Sequence, residues 1–162
     1  IPVEHPTPGD TYTFGSASFT ILSPSKEYKD NNNNSIVIRL TYGDSTFLLT
    51  GDAEEEAEED MLSSGLPLSA DGLKLGHHGS SSSTSDDFLS AVNPTWAVIS
   101  CAEGNKYGHP HAETMNKLRA AGVSVFRTDE QGTITATTDG TTITWNASPS
   151  ETWQTGEGRS SE

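Results

Sequence analysis

Apolar residues recur along this chain with two periods, and the change between them divides the fold. Up to about residue 50 the period is two. Tyr12 and Phe14, then Ala17, Phe19 and Ile21, alternate with polar residues on either side of Gly15-Ser16, which predicts a hairpin-like pair of short strands. After the polar run Asn31 to Asn34, the segments SIVIRL (35–40) and STFLLT (45–50) flank Tyr42-Gly43-Asp44, and their β-branched and aromatic residues predict a second hairpin.

Beyond Asp52 helical and strand patterns alternate. Ala53, Ala57 and Met61 recur at i, i+4 and i+8, which predicts a helix to about Ser64 whose glutamates form a solvated face. A strand follows at 73–75, then a helix from about Ser85 with Asp86 and Asp87 in its first turn and Phe88, Leu89 and Val92 on its buried side. A strand at 96–100 leads to a helix at 112–121 that presents Met115 and Leu118 and stops at Gly122. Three short strands at 123–126, 133–137 and 141–145 close the pattern, with Asp139-Gly140 as the last tight turn. Alternating helix and strand predicts an α/β fold.

The ends read differently. Residues 1–9 carry three prolines and no periodicity, so they are expected to be extended. From Asn146 the chain is mostly Ser, Thr, Glu and Gly with one isolated Trp153, so residues 147–162 are expected to be a disordered tail or linker. One domain over 10–146 remains, which suits a length of 162 residues.

Composition changes this picture in three ways. Only 31% of residues are apolar, about 40% with the 15 glycines added, against roughly 45–50% for a typical domain, so a thin or incomplete core is expected. The net charge of -14 disfavours passive binding of nucleic acid. The single Cys101 excludes a disulfide framework, and its place at the end of the apolar WAVIS run (96–100) predicts packing rather than reactivity. No apolar stretch approaches the roughly 18 residues that span a bilayer.

Candidate chemistry concentrates where strands run out. Asp52 closes the apolar run at 45–50 in Thr50-Gly51-Asp52, and His77 and His78 follow the strand at 73–75. Adjacent histidines on an extended strand point to opposite faces, so one of the two would face a metal and the other would pack or orient a neighbour. A third constellation, YGHPH (107–111), places His109 and His111 on one side of an extended segment, with Glu113 in the following helical turn. Each has a bland alternative: Gly-Asp also starts helices, paired histidines also pack, and His111 also suits a helix N-terminus.

Taken in order, NNNSIVIRLTYG (32–43), FLLTGDAE (47–54), LKLGHHGS (73–80), NPTWAVIS (93–100) and NKYGHPHAE (105–113), continued by RTDEQGTI (127–134), resemble the metallo-β-lactamase-fold domain of ComEC-type DNA-uptake proteins and their soluble relatives. The resemblance covers roughly residues 8 to 145. It implies the C-terminal half of an αβ/βα sandwich, a mixed sheet with outer helices, belonging to a metal-dependent hydrolase of phosphodiesters. It implies a site for zinc or manganese in which Asp52 bridges two metals and His77, preferred to His78, is a ligand. It puts His109 and His111 at the catalytic rim, and Asn34, Ser35, Ser80 and His78 in the substrate-binding region.

The superfamily's His-x-His-x-Asp-His signature is missing, because HPHAE (109–113) comes after Asp52 and is followed by Thr114 and Met115. A partial or empty metal site, inactivity alone, and a need for the N-terminal half of the domain or a second copy of the chain are therefore expected. DNA or another phosphoester is the substrate that the resemblance implies, at the cell surface or outside the cell. Two rival readings are a non-catalytic binding or assembly module and a separate zinc site built by His109, His111 and Glu113.

Overall fold

The computed structural model describes residues 3–156. Seven strands form one sheet in chain order: β1 (Thr11–Phe14), β2 (Ala17–Ser23), β3 (Val37–Tyr42), β4 (Ser45–Leu49), β5 (Gly72–Lys74), β6 (Trp96–Ile99) and β7 (Ser124–Arg127). The change of period at Asp52 is a change of topology. Strands β1 to β4 are antiparallel, as short turns allow. Strands β4 to β7 are parallel, each joined to the next through a helix: α1 (Glu55–Ser63), α2 (Asp86–Val92) and α3 (Ala112–Ala120). The α/β architecture with a mixed sheet and helices is as expected, with element limits moved by a few residues.

All three helices cover one face of the sheet. Ala57 and Met61 of α1, Phe88, Leu89 and Val92 of α2, and Met115 and Leu118 of α3 form one core with Leu48, Leu73, Ala97, Ile99 and Val125. Each of these is 5% exposed or less. On this side the expected thinness is absent.

The other face is covered in part. Register pairs Tyr12 with Phe19, Phe19 with Leu40, Leu40 with Phe47 and Ile38 with Leu49, so these side chains share one apolar face across β1 to β4. A second sheet of two strands, β8 (Ala136–Thr138) and β9 (Ile143–Trp145), lies over the β4 to β7 portion. Its Trp145 stacks on Phe126 with ring centroids 4.2 Å apart and also meets Trp96 and Phe47. Toward β1 the apolar face lacks such a layer among the described residues: Phe19, Ile38 and Leu40 are half-buried and Leu49 is exposed.

Three expectations differ. The acidic run is not all solvated face, because Glu58 is 1% exposed. It accepts hydrogen bonds from the amides of Thr84 and Ser85 at 2.6 and 2.8 Å, satisfying donors at the entrance to α2. A short helix, α4 (Thr128–Gln131), occupies a segment with no helical signal in its period. The stretch after Asn146, expected to be loose, packs on the domain as far as Gly156: Ser150 N donates to Val125 O at 2.7 Å and Trp153 rests against the core. Its anchor is the fully buried Arg127, which pairs with Asp129 at 2.7 Å and donates to Gln154 O. Residues 157–162 of the expected tail lie outside the described residues.

Candidate metal centre

The site residues gather at the carboxyl ends of β4, β5 and β6, the edge of a parallel sheet where loops diverge and side chains can converge. Asp52 sits in the turn after β4. Its backbone N donates to Ser35 Oγ at 3.0 Å, so Ser35 props the turn from the β3 side. Two bonds tie this turn to the end of β5: His77 N donates to Gly51 O at 3.2 Å and Lys74 Nζ to Gly51 O at 3.1 Å. Lys74 also donates to Leu75 O, and burial of its ammonium lowers its pKa.

His77 and His78 do not project to opposite faces. Both lie in the tight turn Gly76–Gly79 with left-handed backbones, φ 44° and 58°, so the alternation expected of an extended strand does not apply. The two rings instead lie near each other, with centroids 6.1 Å apart. His77 Nδ1 lies 2.8 Å from Glu54 Oε1, and His78 Nδ1 lies 2.7 Å from Ser100 O. A carbonyl can only accept, so Nδ1 of His78 carries the proton. The Glu54 carboxyl also receives Ser82 Oγ and Asn32 Nδ2. These bonds outweigh its partial burial and hold its pKa below the ordinary value, so it too acts as acceptor. In their neutral forms both histidines therefore carry the free lone pair on Nε2. It is His78 whose Nε2 approaches Asp52, at 3.5 Å from Oδ1.

The YGHPH segment folds over these rings. His109 is 6% exposed and central: its centroid lies 5.4 Å from His77, 6.1 Å from His78, 4.7 Å from His111 and 5.7 Å from Tyr107. Among the described residues its ring makes no hydrogen bond. Burial first, then the neighbouring imidazoles, pushes its pKa down to about 4, so it is neutral near pH 7. His111 differs. Its Nε2 lies 3.0 Å from Tyr107 O, and its Nδ1 accepts from Ser81 N at 3.0 Å, so both ring nitrogens are engaged.

Other expected site residues serve the scaffold. The amide of Asn34 accepts from Tyr28 N and donates to the carbonyls of Tyr28 and Asp30, which engages both of its donors. Ser80 is buried, with its hydroxyl bonded to Ser82 and its carbonyl accepting from Thr114. The rival zinc site at His109, His111 and Glu113 does not form, because His111 has no free nitrogen and Glu113 turns to Lys117 at 3.4 Å. Among the described residues no three His, Cys, Asp or Glu side chains come together as a group that could hold a metal ion. Asp52, His77 and His78 thus do not make a complete metal-binding set by themselves.

Sequence reasoning missed Glu54, Asn33 and Lys74. Glu54 lies within the acidic run, although its position two residues after Asp52 marks it out. The buried Asn33 accepts from Glu54 N and Ala57 N through Oδ1, capping α1 from another segment, and nothing local to Asn33 signals that partner. Lys74, inside an otherwise apolar strand, was the one visible irregularity.

Comparison with known proteins agrees with the geometry. Residues 24–103 match the metallo-beta-lactamase superfamily. The chain is 36% identical over 135 residues to ComE operon protein 3 of Bacillus subtilis, covering 83% of this chain and 17% of that protein. It is 40% identical over 118 residues to competence protein ComA of Neisseria gonorrhoeae, covering 72% of this chain and 17% of that protein. Recombination protein 2 of Haemophilus influenzae matches at 35% over 129 residues, 79% of this chain and 16% of that protein. The chain therefore spans about a sixth of the length of these relatives, and no helix among its described residues is long and apolar enough to cross a membrane. An acidic turn and paired histidines at the ends of parallel strands, within this sequence likeness, make the chain a member of the metallo-β-lactamase superfamily, of the kind found in ComEC-type competence proteins.

Proposed function

We propose that this chain contributes one side of a metal-dependent phosphodiesterase site, whose remaining ligands come from outside residues 3–156. The observation that carries the reading is the gathering of Asp52, His77, His78 and His109 at one place, with Nδ1 of both adjacent histidines engaged and His78 Nε2 turned toward Asp52. Glu54 and the Ser100 carbonyl set that tautomer, as acceptors behind metal-ligating histidines commonly do. Asp52 and His77 are the proposed ligands for zinc or manganese. The shorter approach of His78 to Asp52 makes His78 the alternative ligand, and His77→Ala and His78→Ala separate the two.

The remaining roles follow from chemistry. Neutral His109, with no ring hydrogen bond among the described residues, is available to a phosphate oxygen as donor or acceptor. His111, engaged at both nitrogens, positions the loop. The open apolar face beside β1 is where the N-terminal half of such a domain, or failing that a second copy, would pack. The competence relatives make DNA the first substrate to test, and a net charge of -14 favours metal-assisted over passive binding. A cell-surface or extracellular setting rests on the same likeness.

Two measurements test this. Zinc and manganese titrations of the chain alone, by calorimetry, are expected to show weak binding; tight binding near one ion per chain contradicts a shared site. Joined to the N-terminal half of a competence relative's domain, the chain is expected to hydrolyse bis-p-nitrophenyl phosphate and DNA with added metal. Asp52→Ala and either His77→Ala or His78→Ala should then lower the rate at least about 100-fold. A folded, metal-loaded hybrid without hydrolysis favours the assembly-module reading.

A further inference from the structure

The segment after β9 reaches the site from behind. It leaves the small sheet at Asn146 and is fastened at short intervals. Gln131 Nε2 donates to Ser148 O at 2.7 Å, and Ser150 N donates to Val125 O on β7, the last strand of the large sheet. The hydroxyls of Ser150 and Thr152 reach the two oxygens of Glu130 at 2.6 and 2.7 Å. Arg127 donates to Gln154 O, and the Arg119 guanidinium lies 6.0 Å from the Trp153 ring centroid. At Gly156, the last described residue, it is buried against the YGHPH loop, where its N donates to Pro110 O at 2.9 Å.

The contact at Gly156 is as close as backbone allows. A Cβ there would lie 2.1 Å from His109 O and 2.6 Å from the Gly108 carbonyl, well inside the distance at which atoms must move. The histidine turn also meets this loop closely: a Cβ on Gly79 would meet Pro110 Cβ at 2.9 Å, and His111 N donates to Gly79 O at 3.0 Å. Pro110 is thus held between two glycines, one from the turn that carries His77 and His78 and one from the C-terminal segment. A loop gripped by two separate segments keeps the imidazoles at its ends in one place.

We propose that residues 148–156 are a strap that positions the His109–His111 loop over the His77–His78 turn, with Gly156 as its locking residue and Arg127 as its anchor. The strap holds backbone, and no side chain of residues 148–156 acts on the reacting groups. The inference rests on the reading of this histidine cluster as the functional site only for its consequence; the clamp is a property of the fold and can be measured without any activity.

Hydrogen exchange resolved by residue tests it in the full chain, in Gly156→Ala and in a chain ending at Ser148. The amides of His109 and His111, which donate to Asn105 Oδ1 and Gly79 O, are expected to exchange about tenfold faster or more in both variants. The amides of Leu48 and Leu73 in the sheet should hold their rates. Unchanged exchange at 109 and 111 in Gly156→Ala overturns the strap. If the shortened chain loosens everywhere, Gly156→Ala alone decides, since it alters only the contact behind His109. Hydrolysis is scored separately in the completed domain: a strap effect without hydrolysis refutes the functional reading and leaves the strap, while hydrolysis with unchanged exchange does the reverse.

Discussion

The two faces of the large sheet are built for different purposes. On the helix side Leu48, Leu73, Ala97, Ile99 and Val125 are each 1% exposed or less beneath three helices. On the other side the small sheet shields β4 to β7 through Trp145, while Phe19, Ile38 and Leu40 toward β1 remain half-buried. The helix side supplies the chain's own stability. The opposite side leaves Phe19, Ile38 and Leu40 partly exposed, which is why the proposed partner layer is put there.

That contrast can be broken most directly by truncating one leucine on each face. Leu48→Ala on the sealed side is expected to cost about 2–5 kcal/mol in chemical denaturation. Leu40→Ala on the open side should cost less than that, since part of its surface is already in water. Equal costs would mean that the open face is closed in solution, and sedimentation at several concentrations would then show the assembly.

Glu58→Ala sharpens the same comparison, because Glu58 is a carboxyl inside the sealed side. Removing it leaves two amides without an acceptor and is expected to cost about 1–3 kcal/mol. Burial holds this carboxyl above its ordinary value of 4.5, against the lowering effect of the two amides. The folded chain therefore favours its protonated form, so the group's contribution is complete below about pH 4.5 and shrinks as the pH rises through the raised value. The cost of the substitution should accordingly be greater at pH 4 than at pH 7.

The smallest effect concerns Cys101, at the end of β6. Burial, with Asp129 beside it, raises its thiol to about 12. Reaction with a disulfide reagent at pH 8 should be slow in the folded chain and fast once denaturant is added. Rapid reaction without denaturant would show that this corner opens, and would place the β7 and α4 region with the looser parts of the molecule.

Strand and helix positions were legible because they follow from local alternation and end signals. The hairpin at Gly43, the helix at Ala57 and Met61 and the stop at Gly122 need no knowledge of distant residues. Asp52, the two histidine pairs and their order along the chain were legible for the same reason, and with them the family. What misled was locally sensible. Glu58 looked solvated because its partners, Thr84 and Ser85, are 26 and 27 positions away. Residues 147–156 looked loose because their composition is polar, yet their polar groups are satisfied by Glu130, Gln131 and Arg127. The histidine turn defied alternation because two non-glycine residues adopt positive φ, which tertiary contacts must stabilise and no local rule announces.

The sequence by itself determined the succession of strands and helices, the two segments that carry Asp52 and His77-His78, and the superfamily, since each is a local pattern or an ordered set of them. Only the tertiary structure decided which nitrogen of His77 and His78 is engaged, that Asn34 and Ser80 bond to neighbouring backbone and hydroxyl groups, that Glu54 stands behind His77, and that the C-terminal segment closes on the loop of His109. Those are relations among groups far apart in sequence, settled by packing and hydrogen-bond satisfaction once the sheet has brought its strand ends to a common edge.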